Sequence, residues 1–418
     1  MSSISTRAIK ATSPAVQIRS MHLSTMTSSG PSPSTVTQHL AGTGQAWHDK
    51  ISSEGPFPPE RGRYRLYIGL FCPFAHRANL VRHLKPGLAD LLPITVVKPY
   101  PKGDENGWPG WQFPSPSSNT TADSNNNNNN NTDNDNSDKE DEYPGATPDP
   151  LYGAKYLHEL YFKADPAYKG RYSVPVLWDT QTHTIVNNES AELLRDLQTC
   201  FDEILPTNGD TKPETGAMSP SNNSNNNKDM NKQPWLYPPH LRTEIDAITN
   251  WMQRDLNTGV YKAGFATTQE SYDAAVPAVF AALNKMEKLI ARNGGPFILG
   301  REMTELDIRA YATVVRFDTV YVQHFKCNLG TIRHDYPQIN NWLKNLYWNV
   351  KGFRESTDFK HIKENYTKSH AEINPRAITP MGPWPEVEGP DGYESDVGKL
   401  RIGGVKMPLV LELEEKLQ

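Results

Sequence analysis

The sequence predicts an α/β domain followed by an all-helical domain, with two Asn-rich insertions that have no core of their own. Short alternating or apolar runs between residues 64 and 186 are typical of strands, whereas the chain from about Pro238 shows helical periodicity. Residues 115–143 and 206–233 contain almost no apolar side chains. Burial therefore cannot offset the entropy of ordering these two segments, and we expect them to be disordered.

The first half begins with a strand, a helix and a second strand. Residues 64–70 alternate as a strand, Pro73–Leu84 is predicted as a helix with proline in its first turn, and residues 94–97 form a short second strand. This order implies a parallel strand pair joined by a right-handed crossover. Two more strands and an amphipathic helix are predicted at residues 174–178, 184–186 and 190–201. Together they give a thioredoxin-like order.

The second half is predicted to be all-helical. Its clearest helices are residues 241–256, 269–292, 304–322, 336–347 and 360–369. Thr304 is a plausible cap for the third of these, with Asp307 in the first turn. The chain is predicted to begin with a tail or transit segment (residues 1–54) and a thioredoxin-like domain (55–205). An insertion (206–233), a helical domain (234–384) and an unassigned extension (385–418) follow.

Composition excludes several classes of function. The net charge is −5 and no long basic block occurs, so we expect no nucleic-acid surface. The three cysteines lie far apart without CxxC spacing, which argues against a disulfide framework and against a zinc site. No run of 18 apolar residues occurs. We therefore expect a soluble protein that binds no metal and does not associate with a membrane.

The first 48 residues leave the compartment open. They contain Arg7, Lys10 and Arg19, many Ser and Thr, and no acidic residue before Asp49. This composition is typical of a mitochondrial transit segment, but a disordered tail on a cytoplasmic protein fits as well.

Cys72 is the candidate nucleophile. It lies where the first strand meets the first helix, and unpaired backbone N–H groups at a helix N-terminus favour a thiolate. Ala75 stands where a dithiol oxidoreductase has its second cysteine, so an external thiol must release any mixed disulfide, and glutathione is the obvious candidate. Cys200 and Cys327 are expected to be buried and inert.

Two further segments fit a glutathione site but are ambiguous. Residues 187–190 (Asn-Asn-Glu-Ser) follow a strand and open a helix, so they form either a pocket for the γ-glutamyl end or an ordinary helix cap. Pro175 either marks an edge strand or forms a cis peptide that exposes the Val174 backbone to a peptide-like ligand.

Several motifs carry a more specific resemblance. They are residues 72–77 (CPFAHR), 110–113 (GWQF), 170–179 (GRYSVPVLWD), 187–190 (NNES), 259–266 (GVYKAGFA), 316–318 (RFD), 320–321 (VY), 324–328 (HFKCN), and 369–370 (SH) leading to 373–375 (INP). In this order they resemble the glutathionyl-hydroquinone reductases, the Xi-class glutathione transferases. The resemblance covers residues 55–384 outside both insertions. Phe74 departs from it, because the family usually has Trp there.

The resemblance implies a site and a reaction. Glutathione contacts would come from Trp111, Arg171, Val174, Glu189 and Ser190. Tyr261 would exchange a proton with the substrate oxygen, and Tyr321 and Tyr366 would donate hydrogen bonds to the Cys72 thiolate. The implied reaction is glutathione-dependent reduction of S-glutathionyl-hydroquinones through a Cys72–glutathione mixed disulfide, in a homodimer.

Two other functions remain open. An omega-like thiol transferase or dehydroascorbate reductase would use the same thiol and the same glutathione pocket. A noncatalytic regulator with this fold would need no reactive thiolate.

Overall fold

The computed structural model describes residues 47–116, 143–205 and 235–382, together with the backbone of residues 401–402 and 405–406. The predictions of a transit segment and of two disordered insertions concern residues that lie almost wholly outside these ranges. In the C-terminal extension, Arg401–Ile402 and Val405–Lys406 pair as two short antiparallel strands.

A four-stranded mixed sheet organises the first half. Its strands are β1 (Tyr64–Ile68), β2 (Ile94–Val96), β3 (Val176–Asp179) and β4 (Thr184–Asn187), in the order β2-β1-β3-β4. β1 and β2 are parallel, whereas β3 is antiparallel to both β1 and β4. The consecutive residues Leu66, Tyr67 and Ile68 are all buried, so both faces of the sheet are covered. This topology confirms the predicted thioredoxin-like order.

Four helices accompany the sheet in the described residues: α1 (Pro73–Leu84), α2 (Leu88–Leu91), α3 (Leu157–Ala164) and α4 (Ser190–Asp196). The predicted helix after the first strand matches α1 at both ends. α4 ends before the predicted residue 201, because the Gln198 side chain donates to the Leu194 carbonyl at 2.7 Å and accepts the Leu236 N–H at 2.7 Å. α3, which packs on β4, was not predicted from the sequence.

The first domain begins earlier than the predicted boundary at residue 55. His48 forms an antiparallel bridge with Asn187, and the Asp49 N–H donates to the Val186 carbonyl at 3.1 Å. Ile51 is buried in the core. The segment from Trp47 onward is thus part of the domain, along the edge of the sheet beside β4.

The second half is helical, as predicted. Its α-helices in the described residues are α5 (Arg242–Trp251), α6 (Gly259–Gly264), α7 (Gln269–Asn293), α8 (Glu305–Val314), α9 (Ile332–Asp335), α10 (Pro337–Asn349) and α11 (Phe359–Ser369). Within the described ranges, no helix is long and apolar enough to cross a bilayer.

Two of the predicted helices are interrupted by π-helical turns. The predicted helix 241–256 starts with a 3-10 turn (Pro239–Leu241), continues as α5 and ends in a π-helix, Met252–Asn257. The predicted helix 304–322 consists of α8 followed by a second π-helix, Phe317–Tyr321. π-helical turns are rare and often lie at functional sites. Here the first leads into α6 with Tyr261, and the second ends at Tyr321.

Candidate active site

Cys72 lies at the N-cap of α1, as the sequence predicted. Its backbone is extended, and Pro73 occupies the first helical turn. The Ala75 N–H donates to the Cys72 Sγ at 3.5 Å, and the thiol donates to the Val174 carbonyl at 3.6 Å. The peptide bond between Val174 and Pro175 is cis. The structure therefore brings Cys72 and the Val174 backbone together in one slot.

The pKa of Cys72 differs from the sequence-based expectation. Burial is the largest cause and raises the pKa of the thiol, while the N–H groups of Ala75 and Phe74 and the charges of Arg316 and Arg77 lower it. The expectation of a thiolate at neutral pH rested on the helix end and on the tyrosine hydroxyls that the family resemblance implies. The burial comes from long-range packing that no local pattern reveals, and it shifts the balance towards the protonated thiol.

Trp111 and Arg171 lie on one side of the slot. The Trp111 ring packs on Phe71, immediately before Cys72, with ring centres 4.4 Å apart. The Lys102 Nζ lies 5.8 Å from the centre of the Trp111 ring. Burial lowers the pKa of Lys102 to about 8, with Glu372 raising it and Arg171 lowering it. Arg171 is therefore close enough to act on Lys102 beside Trp111.

Glu189 and Ser190 lie at the start of α4, where the sequence left a pocket and a cap as alternatives. The Glu189 side chain accepts the Ala191 N–H at 3.1 Å and so caps its own helix. Asn187 and Asn188 do not face the slot, because their side chains bond the N-terminal segment: Asn187 Nδ2 donates to the Asp49 carbonyl, and Asn188 Oδ1 accepts the Trp47 N–H. The cap is therefore formed, with Ser190 buried beside it, and the γ-glutamyl pocket stays a prediction.

Arg77 connects these groups and was not singled out by the sequence argument. This buried side chain donates to Ser190 Oγ at 3.3 Å and to Gln253 Oε1 of the helical domain at 2.9 Å. Its Nε is buried without a hydrogen-bond partner. Burial lowers the pKa of Arg77 to about 9, and the charges of Glu189 and Cys72 are among the causes that raise it. The sequence did show that Arg77 lies in the helix that begins after Cys72. Its partners Ser190 and Gln253 are more than 100 positions away in the chain, so the sequence did not indicate its contacts.

Three tyrosines form a hydrogen-bonded cluster opposite Cys72. The Tyr366 hydroxyl lies 2.5 Å from the Tyr261 hydroxyl and 2.9 Å from that of Tyr321. Tyr321 and Tyr366 are buried, whereas Tyr261 is half-buried. Burial raises the pKa of all three well above the usual value, and the Cys72 charge contributes to that of Tyr261. All three are therefore neutral phenols at physiological pH and can donate hydrogen bonds.

The predicted contact of Tyr321 and Tyr366 with Cys72 is not seen as a hydrogen bond. In the described part of the chain, the Cys72 sulfur bonds the Val174 carbonyl and N–H groups at the start of α1, while the two hydroxyls bond within the tyrosine cluster. Tyr261 is the member on the Cys72 side. Its ring centre lies 6.1 Å from that of Phe74, two residues after Cys72.

Aromatic rings enclose the tyrosine cluster. Phe325 lies 5.2 Å from Tyr261 and 5.5 Å from Tyr366, measured between ring centres. Gly264 permits this packing, because a Cβ at that position would overlap the Phe325 ring. The result is an apolar wall with phenol hydroxyls at its centre, suited to a planar aromatic ligand that carries oxygen.

The chain matches two family profiles, the glutathione S-transferase N-terminal domain over residues 71–200 and the C-terminal domain over residues 269–345. It is 39% identical to the glutathionyl-hydroquinone reductase YqjG of Escherichia coli, over 82% of this chain and 86% of that protein. The Xi-class glutathione transferase ECM4 of Saccharomyces cerevisiae, solved with glutathione, superposes with a TM-score of 0.65 at 38% identity, over 82% and 99% of the chains. The chain belongs to the Xi-class glutathione transferases, the glutathionyl-hydroquinone reductase family.

Other relatives of this Xi-class chain have different names. It is 45% identical to the glutathione S-transferase omega-like 2 of Schizosaccharomyces pombe, over 82% of this chain and 93% of that protein. Relatives named glutathionyl-hydroquinone reductase and relatives named omega-like transferase thus match the same chain over a similar length. In this Xi-class chain, Phe74 stands between Arg77, whose guanidinium carbon is 5.1 Å from the ring centre, and Tyr261.

Proposed function

We propose that this Xi-class transferase reduces S-glutathionyl-hydroquinones to hydroquinones, with Cys72 as the nucleophile. The observation that carries the proposal is the Cys72 thiol at the Val174 carbonyl, with Tyr261 packed near Phe74 and close enough for the Cys72 charge to raise its pKa. All three cysteines are free, and Cys200 and Cys327 belong to other parts of the core. A mixed disulfide at Cys72 therefore needs an external thiol for its release, which glutathione supplies.

The proposed reaction has two thiol steps. A proton moves from a ring hydroxyl of the glutathionyl hydroquinone to the ring carbon that carries sulfur, which gives the keto tautomer and weakens the carbon–sulfur bond. The Cys72 thiolate then attacks the glutathione sulfur, the carbon–sulfur bond breaks, and its electron pair returns to the ring, whose oxygen takes a proton from Tyr261 as the hydroquinone leaves. A second glutathione thiolate attacks the mixed disulfide and releases Cys72 together with oxidised glutathione. The ring gains two electrons and the two glutathione sulfurs lose two.

The tyrosine cluster supports the proton step. When Tyr321 donates to Tyr366 and Tyr366 donates to Tyr261, the Tyr261 proton is left to bond the substrate oxygen. A phenol with a raised pKa stays protonated and acts as a general acid rather than a base. The half-buried position of Tyr261 supports its role as the member that meets substrate.

The raised pKa of Cys72 is compatible with this chemistry. It reduces the fraction of thiolate, but a thiolate with a higher pKa is intrinsically more nucleophilic, so the two effects partly cancel in the attack rate. Trp111, Arg171, Glu189 and Ser190 remain the proposed glutathione contacts. Arg77 adds a buried guanidinium beside Ser190, suited to the γ-glutamyl carboxylate.

Incubation with a glutathionyl quinol tests the proposal. Intact-mass measurement of the wild type, before a second glutathione is added, should show one bound glutathione, which Cys72→Ala should not acquire. Turnover should fall by at least about a hundredfold in Cys72→Ala, because the covalent step is lost. Cys200→Ala is the matched control and should keep both the adduct and the rate. Equal turnover in Cys72→Ala and wild type would contradict the proposal.

The omega-like relatives favour a second function, glutathione-dependent thiol transfer or dehydroascorbate reduction with the same thiol. Rates on a glutathionyl quinol, a mixed disulfide and dehydroascorbate separate the two. A clear preference for the quinol supports the reductase, and a preference for either other substrate supports the second function. A protein that is inactive on all three, and whose Cys72 resists iodoacetamide, would be a noncatalytic regulator.

A further inference from the structure

Arg316 reaches from the helical domain to the segment just before Cys72. It lies between α8 and the second π-helix and is fully buried. Its Nε donates to the Phe71 carbonyl at 3.0 Å and its Nη2 to the Leu70 carbonyl at 3.1 Å. Two of its three nitrogens thus hold consecutive carbonyls of the chain that leads into Cys72.

The remaining nitrogen fixes the state of a buried histidine. Arg316 Nη1 donates to the Ala312 carbonyl at 2.6 Å and lies 3.2 Å from His76 Nδ1. Because an arginine nitrogen only donates, His76 Nδ1 must be the acceptor, so the His76 proton lies on Nε2 and points to Ser356 Oγ at 2.8 Å. Burial, the largest cause, and the Arg316 charge lower the pKa of His76 well below the usual value. His76 is therefore neutral.

The Arg316 charge has no acidic partner in the described part of the chain. All four of its partners are neutral acceptors: the carbonyls of Leu70, Phe71 and Ala312, and the His76 ring. Two other buried arginines of this protein do have such partners, since Arg63 pairs with Asp179 and Arg309 with Glu305. A buried cation without an anion carries a large desolvation cost, so a function for its charge is the natural explanation.

Among the described residues, the charges of Arg316, from the helical domain, and Arg77, from α1, act on the Cys72 sulfur. The Cys72 charge in turn acts on the Tyr261 phenol of α6, and the nearby His76 of α1 is neutral. Arg77 already contacts Ser190 and Gln253 and is influenced by Glu189 and Glu305. Of the two cations that favour the ionised sulfur, Arg316 has the larger effect.

We propose that Arg316 is a positioning residue of the thiol site, which holds the Leu70–Phe71 segment in place and supplies the positive charge that balances the ionised Cys72 sulfur. The proposal rests on the proposed role of Cys72 as nucleophile. It explains why a guanidinium is buried at this point of the domain interface. It also assigns to the helical domain part of the control over a thiol that the first domain carries.

Alkylation of Cys72 as a function of pH tests the charge directly, with no quinol present. The full-length wild type, Arg316→Gln and Arg316→Lys are treated with iodoacetamide, and labelling at Cys72 is quantified by peptide mass. We expect the thiol pKa of Arg316→Gln to rise by about one unit or more, so that labelling below the pKa is at least about tenfold slower. Arg316→Lys keeps the charge and should stay within about half a unit of the wild type.

Arg309→Gln is the matched control, because it removes another buried arginine of the helical domain that is paired with Glu305. It should lose stability but keep the thiol pKa of the wild type. An unchanged thiol pKa in Arg316→Gln would overturn the proposal and leave the reductase function untouched. If Arg316→Gln does not fold, a thiol pKa in Arg316→Lys raised by more than about one unit overturns it instead. A wild type that does not turn over quinol, yet shows these pKa shifts, would refute the reductase function alone.

Discussion

His324 lies behind the tyrosine cluster, where its Nε2 faces Nδ1 of His370 at 3.1 Å. Burial, with a smaller effect from Lys326, lowers the pKa of His324 to about 4. Both rings pack against Phe325, and His370 also packs against Phe265. A protonated imidazole does not fit this apolar setting, because its charge would lie beside a second ring that shares its hydrogen bond.

The free energy of unfolding should therefore depend on pH through His324. Below about pH 6.5 the unfolded chain binds a proton at this residue that the folded chain does not, so stability is lost as the pH falls from about 6.5 to about 4. Between about pH 7 and pH 5 the loss is about 2 kcal/mol. Urea unfolding at both pH values should show a loss in His324→Gln, whose amide occupies the place of Nε2, that is smaller than the wild-type loss by about this amount, because other buried histidines such as His76 contribute to both.

His334→Gln, at an exposed histidine, is the control for this experiment and should behave like the wild type. An equal pH dependence in His324→Gln and in the wild type would show that His324 does not carry the effect.

At single positions, the sequence predicted residues whose chemistry depends on local structure. Cys72 at a helix N-terminus followed from the strand–helix junction alone. Arg77 and Arg316 were missed as functional residues, because most of their hydrogen-bond partners lie more than 100 positions away in the chain. Arg316 itself stands in a largely apolar stretch, which is typical of a buried polar contact, but this signal was not used in the sequence-based prediction.

At the scale of elements, the start of α8 is held by Asp307. Its carboxylate accepts the N–H groups of Thr304 at 2.8 Å and Ile298 at 2.9 Å, and the Trp342 indole N–H at 2.9 Å. Burial raises the pKa of Asp307 to about 6 against the effect of these donors. The carboxylate thus joins the first turn of α8 to the preceding loop and to α10.

Asp307→Ala should lower the free energy of unfolding by about 3 kcal/mol, because it leaves three buried N–H groups without an acceptor. Chemical denaturation at neutral pH measures the change. Glu270→Ala, at an exposed acid in the first turn of α7, is the matched control and should change stability by less than about 0.5 kcal/mol. Similar values for the two variants would mean that this network does not hold α8.

Element boundaries were predictable where a residue type marks them. Pro73 marked the start of α1, and Thr304 with Asp307 marked the start of α8. The π-helices were not predictable, because their i to i−5 hydrogen bonds, such as Thr258 N–H to Gln253 carbonyl at 3.0 Å, arise from tertiary packing. Apolar periodicity therefore predicted one continuous helix at residues 241–256 and one at 304–322, where the structure has an α-helix followed by a π-helix.

At the scale of the molecule, the two domains are joined by buried polar contacts. Arg195 of α4 makes two bonds of 2.8 Å to Glu305 of α8, which is fully buried and also bonds Arg309. The Arg195 guanidinium carbon lies 3.8 Å from the centre of the Tyr237 ring. Arg77 and Arg316 add further bonds across the same interface.

We therefore expect the two domains to unfold in a single transition. Arg195→Met should destabilise the protein by about 2 kcal/mol, since Glu305 keeps only one of its two arginines. Calorimetry should show one peak in the wild type and in Arg195→Met, with the second at lower temperature. Arg254→Met, which removes an exposed ion pair with Asp255, should leave the peak nearly in place. Two resolved peaks in the wild type would contradict a single cooperative unit.

The order of the two domains was predictable from the change in periodicity, but their interface was not. Arg195 and Glu305 are 110 positions apart, and nothing near either residue indicates the other. The family resemblance supplied the candidate site residues, whereas the hydrogen bonds that join the domains become visible only in the folded chain.

The strand-like segment at Trp47 to Asp49 limits where the chain can be trimmed. It covers the outer edge of the sheet at Asn187, and its removal would expose the Val186 carbonyl and the Asn188 N–H, which now bond Asp49 and Trp47. A processing protease that leaves this sheet intact must cut upstream of Trp47. Met21 and Met26 both lie upstream of Trp47, so a chain that started at either residue would keep this edge covered.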